Sequence, residues 1–206
     1  MSYKKPFLFS RYFHVKLSKT AISFSVIAGM LFGMSSCQSF QTGSGHNFES
    51  KYSLKKRKSY ISCLEEKGWG TVIKPLPLKV YDRKLDRLFF SIAELLGVTY
   101  RSGGCGPEGF DCSGFVQYLY RQQFRMLLPR TTGELALLGN VVPIQQLRGG
   151  DLVFFSIDGI NIDHIGIMIG RNRFAHAAKS GVRVNDLFDS YYQKRYAFGS
   201  RIVTAD

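Results

Sequence analysis

The 206 residues leave room for one domain with a substantial core, and 45% hydrophobic against 21% charged residues excludes wholesale disorder. The formal charge of +13 calls for anionic neighbours, whether nucleic acid, phospholipid headgroups or wall polymers, and charge alone does not choose among them. Lys4, Lys5, Arg11, Lys16 and Lys19 open the chain as a basic region without an acid. An apolar stretch from Ala21 to Met34 follows and ends in Ser35 and Ser36, directly before Cys37. That layout predicts an export signal over residues 1–36, because the apolar run is short for a membrane-spanning helix; an N-terminal anchor helix is the alternative. Taking away its five basic residues leaves 23 basic against 15 acidic ones, a charge of +8. Export argues against nucleic acid as a partner, and no nucleic-acid-binding motif is present. It also places the remaining cysteines where disulfides can form.

Met34-Ser35-Ser36-Cys37 resembles the lipobox of bacterial lipoproteins, although Met34 stands where leucine is usual. The resemblance implies that Cys37 is diacylated and becomes the mature N-terminus, giving stable attachment to a membrane through lipid. Gln38 is not the aspartate associated with inner-membrane retention in Gram-negative bacteria. The implied location is the cell envelope: the outer membrane in a Gram-negative source, otherwise the outer face of the plasma membrane.

Residues 37–82 read as the lipidated N-terminus, a tether and an extension. The tether is rich in Ser, Gly, Gln and Asn and turns basic at Lys51, Lys55, Lys56, Arg57 and Lys58. That cluster suits a position near a membrane surface, or is a plain solvated linker. Residues 59–82, with Trp69, Pro75 and Pro77, show no clear period and are expected to wrap or edge the domain. Leu85, Leu88, Phe89, Ile92, Leu95 and Leu96 fall along one face of a helix over 83–96 that Gly97 can end. After a glycine-rich loop, Cys112 opens a second helix that runs to about Arg125 and buries Phe115, Val116, Leu119 and Phe124. Thr131-Thr132-Gly133-Glu134 starts a further short helix ending at Gly139. Strands are expected at Asp151–Phe155, over the alternating Ile165, Ile167 and Ile169, at Arg173–Ala177, at Val182–Val184 and from Tyr196 to Val203. Helices first and a mostly antiparallel sheet second predict an α+β domain over 83–206.

Of the four histidines, His14 lies in the signal and His46 in the tether, which leaves His164 and His176 to the domain. A cysteine at a helix start sits where backbone dipoles favour a thiolate. Such a thiol needs an imidazole to take its proton, and that imidazole needs a polar group to hold its ring. His164 opens a strand and is the natural base for Cys112. His176 follows one hairpin later, and the turn at Gly170–Asn172 could set the two side by side. Two other readings stay open on spacing alone: Cys112 as a small apolar core residue, and a zinc site from Cys105, Cys112, His164 and His176. The latter lacks close ligand pairs.

Tyr100-Arg101-Ser102-Gly103-Gly104 and Phe110-Asp111-Cys112-Ser113-Gly114-Phe115 resemble the active-site segment of the NlpC family of bacterial cell-wall cysteine peptidases. Leu128-Pro129-Arg130-Thr131-Thr132, Gly150-Asp151-Leu152-Val153-Phe154-Phe155, His164-Ile165-Gly166-Ile167-Met168-Ile169-Gly170 and Phe174-Ala175-His176 match further segments in the family's order, over roughly 83–203. The resemblance implies a papain-like α+β fold, with Cys112 as nucleophile, His164 as general base and later acid, and His176 orienting His164. It implies hydrolysis of peptidoglycan stem peptides between γ-D-glutamate and a diamino acid, through a thioester, by a monomer without metal or cofactor. The Cys112 N–H and the Tyr100 hydroxyl would be oxyanion donors. Asp111, Ser113 and Arg130 would line the substrate cleft, Arg130 equally serving as a structural ion-pair partner. A catalytically silent wall-binding lipoprotein and a thiol amidase or acyltransferase are the alternatives. Cys105 is an unexpected neighbour, either paired with Cys63 or free. The tether is expected to be too short to hold wall-binding repeats, so the lipid would have to supply localisation.

Overall fold

A computed structural model describes residues 56–68 and 70–206, all of which lie within one compact unit. The expectations for residues 1–36, Cys37 and the tether up to residue 55 fall outside the described residues. Among the described residues no helix is long and apolar enough to cross a membrane.

Residues 60–80, aperiodic in sequence, form three strands: β1 (Tyr60–Leu64), β2 (Thr71–Pro75) and β3 (Leu78–Val80). β1 and β2 pair as an antiparallel hairpin whose inward residues Ile61 and Cys63 are buried. Helix α1 (Asp82–Glu94) buries Leu88 and Ile92, and the chain turns away from it at Gly97, whose φ of 86° is left-handed. Two short strands, β4 (Cys105–Gly106) and β5 (Gly109–Phe110), fold the glycine-rich loop back on itself just before helix α2 (Cys112–Phe124). The apolar face of α2 carries Phe115, Val116, Leu119 and Phe124 into the core as its spacing predicts, and Tyr120 is buried with them. Arg125 ends the helix in the left-handed region, and its guanidinium donates to the carbonyls of Leu64 and Glu65. The far end of α2 is thereby tied to the β1–β2 hairpin.

After the single-turn helix α3 (Thr132–Leu135) come β6 (Asn140–Val142), β7 (Leu152–Phe155), β8 (His164–Gly170), β9 (Arg173–Ala178) and β10 (Gly181–Asp186). The short helix α4 (Ser190–Gln193), β11 (Tyr196–Arg201) and β12 (Val203–Ala205) complete the chain. Six strands form one sheet in the order β10-β9-β8-β7-β11-β6, with every neighbouring pair antiparallel. Helices ahead of an antiparallel sheet make this an α+β fold of the papain-like kind. β7 is buried along its whole length because both faces of the sheet are covered. Leu152 and Phe154 join the main core beneath α2, while Val153 and Phe155 meet Met168, Phe174 and Leu187 on the other side.

Two ties bind the outer segments. β12 pairs in parallel with β3, so the extension ahead of residue 83 is hydrogen-bonded to the last strand of the chain. Arg57, read from sequence as part of a basic cluster near a membrane or in solvent, turns inward instead. Its guanidinium donates to the carbonyls of Gly139 (2.7 Å), Ala136 (2.8 Å) and Leu138 and to Ser200 Oγ (2.7 Å). Burial pulls its pKa down to about 10, and the four acceptors take up four of its five donors. Asp151 is also structural: its carboxylate accepts from Arg201 at 2.7 and 2.8 Å and from the Arg148 N–H at 2.8 Å, which locks the turn that feeds β7.

Candidate active site

The site begins with the capping of α2. The Asp111 carboxylate accepts from the N–H of Gly114 at 2.7 Å, which satisfies one of the orphan donors of the first helical turn. It also accepts from Gly103 N–H at 3.0 Å, from Ser113 Oγ at 3.2 Å, and from both Arg130 nitrogens at 2.9 and 2.6 Å. Arg130 donates a further bond to Ser113 Oγ at 2.8 Å. Burial alone would push the Asp111 carboxyl up, but Arg130 and the two N–H donors hold it below the ordinary carboxylate range. Asp111, Ser113 and Arg130, predicted to line the cleft, are therefore joined in one closed cluster, with Arg130 as the ion-pair partner. Gly114 is required here because a Cβ would run into the carbonyl oxygen of Gly104, which packs directly over the helix start.

This cluster delivers Cys112 as the first residue of α2. Its sulfur lies 3.7 Å from Thr132 Oγ1 and 3.8 Å from the carbonyl of Asp163, with the N–H groups of Ser113 and Ile165 also directed at it. The sulfur thus rests against the chain on both sides of His164. The expectation that the helix start would favour a thiolate is corrected by these surroundings. Burial and the Asp111 charge raise the Cys112 pKa above its ordinary value, against the lowering effect of Thr132 and the two N–H groups. Loss of the Cys112 proton is thereby disfavoured, and attack by the sulfur calls for a base. Tyr100, bridged to Phe110 just upstream, lies near enough to Cys112 and Asp111 that burial and both these groups disfavour its phenolate.

His164 opens β8 as expected, and Ile167 pairs with Ala175 on β9. Continued along the strands, that register sets His176 opposite Gly166, so the two histidines meet diagonally and not side by side. Their rings stand at 88° with centroids 4.9 Å apart, and His164 Nε2 is 2.8 Å from His176 Nδ1. On the far side, His176 Nε2 is 3.0 Å from Asn185 Oδ1 on β10 and 3.4 Å from the Tyr192 hydroxyl on α4. Phe155, Phe174 and Tyr192 box the rings in. With its Nε2 edge taken by His176, His164 has Nδ1 left to receive a proton. The arrangement can accept a thiol proton and hold it on a buried imidazole.

Burial, then the neighbouring His176, holds the His164 pKa well below the ordinary value, and burial lowers that of His176 against the raising effect of Asn185. Both imidazoles are neutral in the native state near neutrality, whereas an unfolded histidine titrates near 6.5. As pH falls through about 6.5 the unfolded chain takes up protons that the native chain refuses, and stability drops by up to about 1.4 kcal/mol per pH unit per histidine. Urea midpoints measured at pH 7.5 and 5.0 are expected to fall in the wild-type protein and to fall less in His164→Gln. Equal falls in both proteins would contradict a neutral buried His164.

Asn185, Thr132 and Tyr192 carry no sequence signal of a role at the site. Thr132 sits in a matched segment, but nothing local marks it as a partner of the sulfur, and Asn185 lies far along the chain from Cys112. Cys63 is buried in β1 and Cys105 exposed in β4, and both are free thiols, so the alternative of a disulfide between them is not realised. Among the described residues no group of three His, Cys, Asp or Glu side chains is placed to hold a metal ion.

Comparison with known proteins adds to this geometry. The family model described as "NlpC/P60 family" matches residues 97–201. The chain is 43% identical over 119 residues to the Escherichia coli protein named murein DD-endopeptidase MepS/murein LD-carboxypeptidase, covering 57% of this chain and 63% of that protein. It is 34% identical over 159 residues to the E. coli murein DD-endopeptidase MepH, covering 72% of this chain and 58% of that one. The matched segments thus span less than two thirds of the length of these relatives. Among solved structures, a Staphylococcus aureus protein described as similar to a lipoprotein of the NLP/P60 family superposes with a TM-score of 0.56 at 26% identity, covering 62% of this chain and 44% of that one.

Proposed function

This chain belongs to the NlpC/P60 family, and from that premise we propose that it is a lipid-anchored cysteine endopeptidase acting on peptidoglycan stem peptides. The observation that carries the reading is the hydrogen-bonded pair His164–His176, 2.8 Å apart, with the Cys112 sulfur at the start of α2 resting 3.8 Å from the carbonyl of Asp163, the residue before His164. Cys112 is the nucleophile. As Sγ attacks the amide carbonyl, His164 Nδ1 takes the thiol proton and then delivers it to the leaving amine, which leaves a thioester on Cys112. Water, deprotonated by the same nitrogen, cleaves the thioester and restores the thiol. His176 holds the His164 ring. The Cys112 N–H at the helix start and the Tyr100 hydroxyl serve the oxyanion. The raised thiol pKa favours transfer of the proton during attack over a thiolate formed beforehand.

Two bonds are candidates. The sequence resemblance implied the link between γ-D-glutamate and the diamino acid, whereas two relatives bear the name murein DD-endopeptidase. Their likeness speaks for a DD bond ahead of the γ-D-glutamyl one. The lipid anchor on Cys37 is supported by the Ser35-Ser36-Cys37 sequence and the basic, apolar run before it, and it would confine a monomer to the wall nearest its membrane.

The test is mass analysis of products from a defined cross-linked muropeptide incubated with the full chain. Cleavage within the stem peptide is expected, with the new termini naming the bond, and no such product from Cys112→Ala. Release of intact stem peptide from the glycan would instead make the protein an amidase. Binding without any product would overturn the enzymatic reading.

A further inference from the structure

We propose that Asn185 is a positioning residue that sets the proton arrangement of the whole His164–His176 relay. The inference rests on the reading that Cys112 and the two histidines are the reacting groups. The side chains step diagonally across three strands, from His164 on β8 to His176 on β9 to Asn185 on β10, and Arg183 of β10 lies directly opposite His176.

The proton positions are set from the outside in. Asn185 presents its amide oxygen Oδ1 to His176 Nε2 at 3.0 Å, and an amide oxygen can only accept. His176 must therefore carry its proton on Nε2. A neutral imidazole with Nε2–H has a lone pair on Nδ1, so at 2.8 Å that atom accepts from His164. His164 in turn carries its proton on Nε2 and keeps a lone pair on Nδ1, the atom to which the proposed mechanism assigns the Cys112 proton. Reversing the outermost bond reverses every link, and His164 would then present an N–H where a base is required. One amide at the edge of the sheet thus decides whether the thiol has a proton acceptor. The Tyr192 hydroxyl, 3.4 Å from the same His176 nitrogen, can either donate or accept and does not choose between the two arrangements.

The charged and titratable groups around the relay are few. Arg183 opposes a proton on His176, and burial disfavours the charged forms of both Tyr192 and Cys112. Asp163, beside His164, is tied to the N–H groups of Ile157 and Asp158 at 2.7 and 3.0 Å. Among the described residues no carboxylate is hydrogen-bonded to either ring, which leaves the neutral amide of Asn185 as the group that sets the polarity.

The experiment compares Asn185→Leu and Asn185→Asp with the wild-type full chain. One readout is the pH profile of Cys112 alkylation by iodoacetamide, followed by mass on the Cys112 peptide; the other is kcat and KM for muropeptide hydrolysis. Asn185→Leu removes the acceptor and is expected to lower kcat by about 10- to 100-fold, with KM changed by less than about 2-fold. Asn185→Asp keeps an acceptor-only group and is expected to retain kcat within about 3-fold at its optimum. Its carboxylate favours the imidazolium form, so the acid limb of both profiles should move up by about one pH unit. Wild-type kcat in Asn185→Leu overturns the proposal, as does an unmoved acid limb in Asn185→Asp. Should Asn185→Leu fail to fold by circular dichroism, the Asp variant decides alone. Alkylation needs no substrate. An altered alkylation profile in a protein that releases no peptide would therefore sink the proposed function and leave this inference standing.

Discussion

Cys112→Ala is expected to lower kcat for stem-peptide release by about 10,000-fold or more, with the fold intact. The substitution removes a single sulfur atom from a buried position packed by Thr132 and the Asp163 carbonyl. Because burial disfavours the thiolate, the substitution is not expected to create or remove a buried charge. The void is smaller than a methylene pair, so the melting midpoint should move by the equivalent of about 1 kcal/mol or less. Alanine keeps the Cβ and the backbone N–H at the helix start, so substrate binding and oxyanion contacts persist and KM should hold. The measurement is steady-state hydrolysis of a purified muropeptide, with the melting curve as control. A loss below about 100-fold would place the nucleophile elsewhere, since removal of one member of a catalytic unit collapses the whole.

The second large effect is expected at Asp111, where one carboxylate supports three things at once. Asp111→Ala removes the cap on Gly114 N–H, the ion pair with Arg130 and the anchor of the Gly103 loop. Loss of a helix cap costs about 1 kcal/mol. The ion pair is partly exposed on the Arg130 side and adds only a modest amount. Together with the freed Gly103 loop, a loss of about 2–3 kcal/mol in urea denaturation is expected. The effect on chemistry runs two ways. Without Asp111 the thiol pKa should fall, because the anion that raised it is gone while Arg130 remains nearby. The first turn of α2 would no longer be pinned, however, and a displacement of about 1 Å at a nucleophile costs about 100-fold. We expect the second effect to win, with kcat down about 100-fold although alkylation of Cys112 becomes faster at neutral pH. Asp111→Asn keeps an acceptor for the cap and gives up only the charge, so it should recover about half of the stability. If the Asn and Ala variants lose equal stability, the charge and not the cap governs the helix start.

Much of the fold could be read from local pattern. The helical spacing of Leu85, Leu88, Phe89 and Ile92 and the run Leu152–Phe155 report their own burial, because periodicity is a property of neighbours in the chain. The bounds of α2 were legible for the same reason, from the glycine-rich loop before Cys112 and the amphipathic run that follows it, whereas the cap from Asp111 emerged only in the structure. The short strands β1 to β3 were not, since what makes them strands is pairing with each other and with β12, the last strand of the chain. Arg57 looked like one more member of a basic cluster, and only the four acceptors converging from residues 136–139 and 200 make it a clamp.

Residue identity and order by themselves determined which atoms are available for chemistry: one cysteine at a helix start and two histidines opening and following a strand. They also indicated the family, through segments matched in order. The tertiary structure decided the state of those atoms. The Cys112 pKa depends on burial and on Asp111, the meeting of His164 with His176 on a diagonal register, and the direction of the relay on an amide two strands away. These are effects of distance and dielectric between groups remote in sequence, so spacing along the chain carries no record of them.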